Sequence, residues 1–438
     1  MFFKIQISVD FYFFRCKYKG VMIRKFRLSN FCSFLDEVEV DFTVGAKVST
    51  DFSFAELSDG RKASLTSGVF GANASGKTNL LKALAFLRYF MWASYHNLSP
   101  EEAIPVDVFS GVTDTSKPAC FEIEFEGKTE KGDLQRYLYK LKLDSKKVYE
   151  EVLKVYNSKT NQYNQIMVRK QESTSDEPNL LGYNSFSKLS AVQKLLADRP
   201  NSSMLAAGLN TGRQDFKNIE SIFGKIRTNV RRRGKENTHF DSFESLLSCS
   251  EYFHEHPEYQ SMLKEFIQVA DVGIKDFEIK PILVPGNDEK TKDSHLIYFV
   301  HQGPDKDFEL NITQESTGTK RLCLLMYEFI SILKGGGIAI IDEMESDLHP
   351  HLIPTILSLF NNPEINEQQA QLFFTCHHVE ILNYLFKEQI ILVEKDNCCV
   401  SDAYRLDEIK GVRKQDNFFA NYNSGKYGAV PNTKTLIL

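Results

Sequence analysis

Gly71-Ala-Asn-Ala-Ser-Gly-Lys77-Thr78 fits the pattern GxxxxGK[ST] and lies between two different periodicities. Before it, Leu65 to Phe70 reads as a buried strand. After it, Leu80, Leu81, Leu84, Phe86 and Leu87 recur at helical spacing. Strand, glycine turn and helix together make a phosphate-binding loop. Consecutive backbone N–H groups form an anion nest, and the helix N-terminus adds its positive dipole end. Gly71 and Gly76 allow the backbone angles and close approach that a Cβ would block. Lys77 is expected to reach the β- and γ-phosphates and the Thr78 hydroxyl to ligate Mg²⁺, with Asn73, Ala74, Ser75 and Asn79 completing the contact. About 0.02 chance matches are expected in a chain of this length, and it is a second region that turns the match into a site.

A second region supplies what a phosphate cradle lacks. Gly337-Ile-Ala-Ile-Ile-Asp342-Glu343 is an apolar strand ending in two acids, at the sheet edge where open α/β sheets bind ligands. Asp342 is expected to hold Mg²⁺ through water and Glu343 to polarise an attacking water. Leu372-Phe-Phe-Thr375-Cys-His377 is the next apolar strand, and His377 should emerge beside Asp342 and donate to the γ-phosphate, leaving His378 a bystander. In Glu315-Ser316-Thr317-Gly318 a serine opens a helix, so Ser316 reads as an N-cap. That role is compatible with meeting a phosphate.

The remaining patterns outline an α/β architecture. Short strands are expected at Ile23–Leu28 and Val38–Phe42. Period-two runs at Phe121–Phe125, Tyr137–Leu143 and Val148–Tyr156 predict an antiparallel sheet. Residues 185–271 look helical, including Phe216–Ile226, Phe243–Leu247 and Tyr259–Ala270. Strands return at Phe277–Ile282 and Leu296–Val300. From 317 the order is helix, strand 337–342, helix 351–360, strand 371–376, helix 379–387, strand 389–394, which implies a largely parallel sheet. Lys77 and Asp342 stand 265 positions apart, so the halves of one site flank an insertion. It is too short, and lacks the sustained heptads, for a long coiled-coil arm.

Composition narrows the class. With 438 residues, net charge −5, 34 Phe and 18 Tyr, the chain suits a soluble protein that does not bind nucleic acid over its whole surface. No apolar run approaches the ~18 residues that span a bilayer. The eight cysteines show no CxxC pair and read as reduced cytosolic thiols. Residues 1–21, before the patterned strand at Met22, read as an appended extension or the product of a misplaced start codon, without a secretion signal. Lys225-Ile-Arg-Thr-Asn-Val-Arg231-Arg-Arg-Gly-Lys235 holds six cations in 11 residues. Arg231, Arg232 and Arg233 fit a solvated helix end or a docking surface for nucleic acid or an acidic partner.

On these residues the chain resembles the ABC/SMC-type ATPases. More narrowly it resembles the stand-alone RecF- and OLD-like AAA ATPases of bacterial abortive-infection and phage-defence operons. The likeness runs through Phe26-Arg-Leu-Ser-Asn-Phe-Cys-Ser-Phe34, the phosphate loop, Phe266–Ile274, Glu315–Arg321, Asp342–Pro350, Thr375–His377 and Tyr422–Pro431. It implies an ATPase head dimerising around ATP and Mg²⁺. Ser316 and Gly318 would be the signature that meets ATP in trans, Ser346 to His349 the D-loop, and His377 the switch histidine. The implied parts are an extension (1–21), an N-terminal lobe with the phosphate loop and antiparallel sheet (22–184), a helical insertion (185–274) and a C-terminal lobe (275–438). OLD proteins continue into a Toprim nuclease, whereas Val393-Glu-Lys-Asp396 here is followed by about 40 residues without a DxD pair. The region for the Q-loop is Ile104–Phe109. Three functions compete: a cytoplasmic sensor ATPase with a separate effector, a RecF-like repair ATPase clamping DNA, and a nucleotide-gated scaffold.

Overall fold

The computed structural model describes residues 20–45, 48, 52–114, 116–128, 134–170, 179–182, 189–230, 242–270, 273–285, 291–346 and 348–431. Among them, six strands form a core sheet in the order Ile226–Thr228, Ile338–Ile341, Gln371–Thr375, Thr66–Phe70, Ile390–Lys395 and Ser401–Arg405. All neighbours are parallel except the last pair. Register brings the strand ends together: Ile341 stands opposite Phe374, Thr375 opposite Val69, and Phe70 opposite Leu392. Gly71, Asp342 and Cys376 therefore leave the sheet along one edge.

Both faces of this sheet are covered, which is why its strands are apolar throughout rather than alternating. Val69, Ile338, Ile340, Phe373 and Ile391 point to one side, into a core shared with the helix Lys77–Asn97 and an antiparallel sheet. Phe70, Ala339, Ile341, Leu372, Phe374 and Leu392 point to the other. There they meet the helices Phe243–Glu255, Gln260–Ala270, Thr317–Gly335 and Leu352–Asn361.

The antiparallel sheet runs Asn179–Gly182, Gln162–Lys170, Val148–Asn157, Leu134–Leu143, Ala119–Lys128, Met22–Ser29, Val38–Asp41. A buried amide joins it to the core. Gln371 accepts from the Ile23 N–H at 2.7 Å and donates to the carbonyls of Ile23 and Ser64 at 3.1 and 2.9 Å. Ile274–Pro285, Thr291–His301 and Phe308–Asn311 form a further antiparallel sheet leading into the helix Thr317–Gly335.

Two sequence expectations need correction. The helix placed at Phe216–Ile226 ends at Phe223, and Ile226–Thr228 is a strand pairing with Ile338–Ile340. A three-residue strand is too short to show a period, so only its β-branched ends hint at it. The helix expected at 379–387 is a 3₁₀ turn, Val379–Tyr384. The extension before Gly20 and the cluster Arg231, Arg232, Arg233 lie outside the described residues. No helix among the described residues is long and apolar enough to cross a membrane.

The helix Met204–Leu209 is fixed to the antiparallel sheet by a buried polar knot. The Glu151 carboxylate accepts from Tyr139 Oη at 2.8 Å, the Met204 N–H at 2.8 Å and the Ser203 hydroxyl. Arg169 lies 3.8 Å from Glu151 and donates to the Ser202 and Pro200 carbonyls, both at 2.6 Å. Burial and the neighbouring carboxylate push the Tyr139 phenol well up, so it stays a donor. Glu151→Ala strands these donors and leaves Arg169 without its carboxylate. Urea unfolding should show a loss of about 3–5 kcal/mol, against a smaller loss for Glu151→Gln.

Candidate functional site

A cleft of about 530 Å³ lies at the edge where the core strands end. The phosphate loop forms one wall, from Asn73 to Asn79, and Asp342, Glu343, Thr375, His377 and Lys395 form the rest. The loop is shaped by its glycines. Gly71 has φ 156° and Gly76 φ 116°. A Cβ on Gly71 would fall 2.1 Å from the Val393 carbonyl oxygen, and one on Gly76 would fall 2.6 Å from Ser401 Oγ. Alanine at either position cannot keep this backbone.

No side chain caps the helix Lys77–Asn97, and its first turn carries no acid. Its leading N–H groups, which have no intrahelical acceptor, face the loop instead. Among the described residues the Ser75 hydroxyl, buried there, has no hydrogen-bond partner. The back of the loop is pinned by hydroxyls from both ends of the chain. Ser401 Oγ is 2.6 Å from the Ser75 carbonyl oxygen and 2.8 Å from Ser33 Oγ, which also accepts from Asn79 Nδ2 at 2.9 Å. Lys77 Nζ donates to the carbonyls of Gly71 and Ala72 at 2.8 and 2.9 Å. Burial holds its ammonium below the ordinary lysine value, and the Asp342, Glu345 and Glu343 carboxylates oppose that shift.

Asp342 is the hub. Its carboxylate accepts from Thr78 Oγ1 at 3.0 Å and from Thr375 Oγ1 at 2.6 Å. The Thr375 hydroxyl in turn accepts from the Glu343 N–H at 2.7 Å. Asn229 grips the backbone of the same residue on both sides: its Oδ1 accepts from the Asp342 N–H at 2.7 Å and its Nδ2 donates to the Asp342 carbonyl at 2.9 Å. Glu343 sits at φ 47°, a left-handed conformation that turns the chain sharply away from the strand. Ser346 donates to Glu343 Oε2 at 3.2 Å. Exposed His377 lines the cleft, and its N–H is held by Glu345 Oε1 at 2.7 Å.

The structure thus gathers Asn73, Ala74, Ser75, Gly76, Lys77, Thr78, Asn79, Asp342, Glu343 and His377 in one place. His378 is absent from the cleft wall. Ser316 and Gly318 are elsewhere: Ser316 caps the helix Thr317–Gly335, accepting from the Thr319 N–H at 3.1 Å, and is exposed. Asp347 of the expected D-loop lies outside the described residues. Ile104–Phe109 contributes nothing to the cleft wall. Thr375, Asn229, Glu345, Ser33, Ser401 and Lys395 were not singled out beforehand. Thr375 had a signal in its place one strand-end over from Asp342, and Ser33 and Glu345 in falling within stretches that carry the family resemblance.

The donors present fit Mg²⁺. It takes hard oxygen ligands, keeps several waters and needs few protein groups. A threonine hydroxyl and a carboxylate 3.0 Å apart meet that requirement, while the uncapped helix N-terminus beside them suits the phosphates.

A phosphate loop leaving a parallel strand, with an acid pair ending the strand next but one and Thr375 on the strand between, defines a P-loop ATPase fold of the ABC/SMC type. The chain belongs to the family described as "AAA domain, putative AbiEii toxin, Type IV TA system", whose model matches residues 67–203 and 205–383. No curated protein matches it. Among solved structures it is similar to the SMC head domain from Thermotoga maritima (13% identity, TM-score 0.37, 87% of this chain and 98% of that one). It is similar also to an Smc head from Pyrococcus furiosus bound to the C-terminal domain of ScpA (14%, TM-score 0.41, 89% and 97%).

Asn229→Ala leaves both backbone groups of Asp342 without these partners. Chemical denaturation should show a loss of about 1–3 kcal/mol, and ATP titration of the same variant should show weakened Mg²⁺-dependent binding.

Proposed function

We propose that this chain binds and hydrolyses ATP, and that two copies close head to head around the nucleotide. One observation carries the reading: a single cleft gathers Lys77, Thr78, Asp342, Glu343 and His377, while the signature serine stands exposed away from it. Lys77 and the loop N–H groups bind the phosphates. Glu343 holds and polarises the attacking water as general base, and His377 donates to the γ-phosphate. Thr78 and Asp342 would hold Mg²⁺, which when bound neutralises charge on the phosphate oxygens. Because Ser316 and Gly318 lie outside the cleft of their own chain, a second copy presenting that capped N-terminus completes the site.

We further propose a regulatory role in a bacterial antiviral system of the abortive-infection type, OLD-like in its ATPase, with toxic or nucleolytic chemistry in a separate effector. The family's description, which names a Type IV TA system, supports that setting. A RecF-like clamp on DNA is the rival, and DNA-stimulated hydrolysis would favour it. Copurification of an adjacent gene product would favour the defence role.

Glu343→Gln should keep ATP binding and slow hydrolysis roughly 10²–10⁴-fold, whereas Lys77→Ala should abolish binding. Wild-type turnover by Glu343→Gln would remove Glu343 as the base. Ser316→Arg, placed in the Glu343→Gln background, should bind ATP yet fail to form the ATP-dependent dimer that light scattering is expected to show for Glu343→Gln alone. A dimer of unchanged stability would count against completion in trans.

A further inference from the structure

A separate cavity of about 400 Å³ lies between the helix Lys77–Asn97 and the residues that follow the strand Ile226–Thr228. It shares no lining residue with the phosphate cleft. Lys82, Phe86, Arg88 and Tyr89 face it from the helix, and Thr228 and Val230 from the other side.

Arg88 is the anomaly. Among the described residues its guanidinium makes no hydrogen bond and no ion pair, and its Nε is buried without an acceptor. Its ring partner is Trp92, 5.1 Å away, and its charged neighbours are Arg227 and the Glu328 carboxylate. Desolvation lowers its pKa and the like charge of Arg227 adds to the fall, with Glu328 opposing. Lys82, by contrast, is matched by Asp107 at 2.9 Å. A buried guanidinium nitrogen without an acceptor is costly in a folded protein even with a carboxylate nearby, so its presence in a cavity wall points to an anion that binds there. The planar fork of arginine suits phosphate or carboxylate. Tyr89 and Phe86 supply aromatic surface, Asn97 and Glu102 suit ring N–H groups, and the volume is that of a small-molecule site.

We propose that this cavity binds a small nitrogen-heteroaromatic ligand bearing a single phosphate, of mononucleotide size, with Arg88 on the anion. Its occupant would also reach the phosphate cleft. Thr228 and Val230 flank Asn229, whose amide holds both backbone groups of Asp342. Filling the cavity therefore bears on the residue around which the cleft is built. The site stands independently of the ATPase reading; only this coupling rests on it.

The test uses the full chain carrying Lys77→Ala, so that the phosphate cleft does not contribute, titrated calorimetrically with AMP, adenosine and inorganic phosphate. AMP should bind saturably at one site, with adenosine and phosphate each weaker by about tenfold or more. Adding Arg88→Met, which keeps the stem against Trp92, should weaken AMP by about tenfold or more. The unliganded Tm should hold or rise, because a buried donor without an acceptor has been removed. No saturable AMP binding, AMP binding indifferent to Arg88→Met, or a marked fall in Tm would each overturn the site. In the wild-type chain AMP should change the ATP hydrolysis rate, and an unchanged rate would overturn the coupling. A wild-type chain without any hydrolysis would instead sink the ATPase reading and leave AMP binding to decide the cavity.

Discussion

Everything about the cleft depends on holding one carboxylate still. Asp342 is 1% exposed at the end of a buried strand, where an unsupported charge would be costly. Two hydroxyls from two other elements share its oxygens, and an amide from a fourth locks its peptide groups. The arrangement ties the phosphate-loop helix, the strands Ile338–Ile341 and Gln371–Thr375 and the residue after Ile226–Thr228 to a single side chain. A shift in any of them is felt by the others.

The layered core makes that hub possible. With apolar residues alternating between two hydrophobic compartments, the parallel strands are gripped from both faces and their ends cannot slide. Gln371 adds a polar tie at the opposite end of the sheet, joining the antiparallel layer through two hydrogen bonds to Ile23 and holding the Ser64 carbonyl with a third. The antiparallel sheet is thus a braced part of the platform, and the knot of Glu151 and Arg169 carries the bracing on to the helix Met204–Leu209.

Much of this was legible in the sequence. The phosphate loop, the acid pair and the strand order after residue 317 follow from patterns whose physics is local: glycine angles, helical spacing, apolar runs ending in charge. The period-two runs between 119 and 157 exposed the antiparallel sheet for the same reason. What stayed hidden is long-range. Asn229 lies 113 residues from Asp342, and Ser401 lies 368 from Ser33, so no window of sequence joins them. Ile226–Thr228 was hidden by its brevity and by the helical residues before it.

Glu343 has a left-handed backbone, which costs a side-chain-bearing residue roughly 1–2 kcal/mol. Glycine and asparagine adopt that conformation with little strain, and β-branched residues adopt it poorly. With Glu343 as the proposed base, position 343 is filtered twice over evolutionary drift, by chemistry and by geometry. A descendant that had abandoned turnover would still need the sharp turn after Asp342. Glycine or asparagine at this position, beside an intact phosphate loop, would be the fossil of a lost hydrolase.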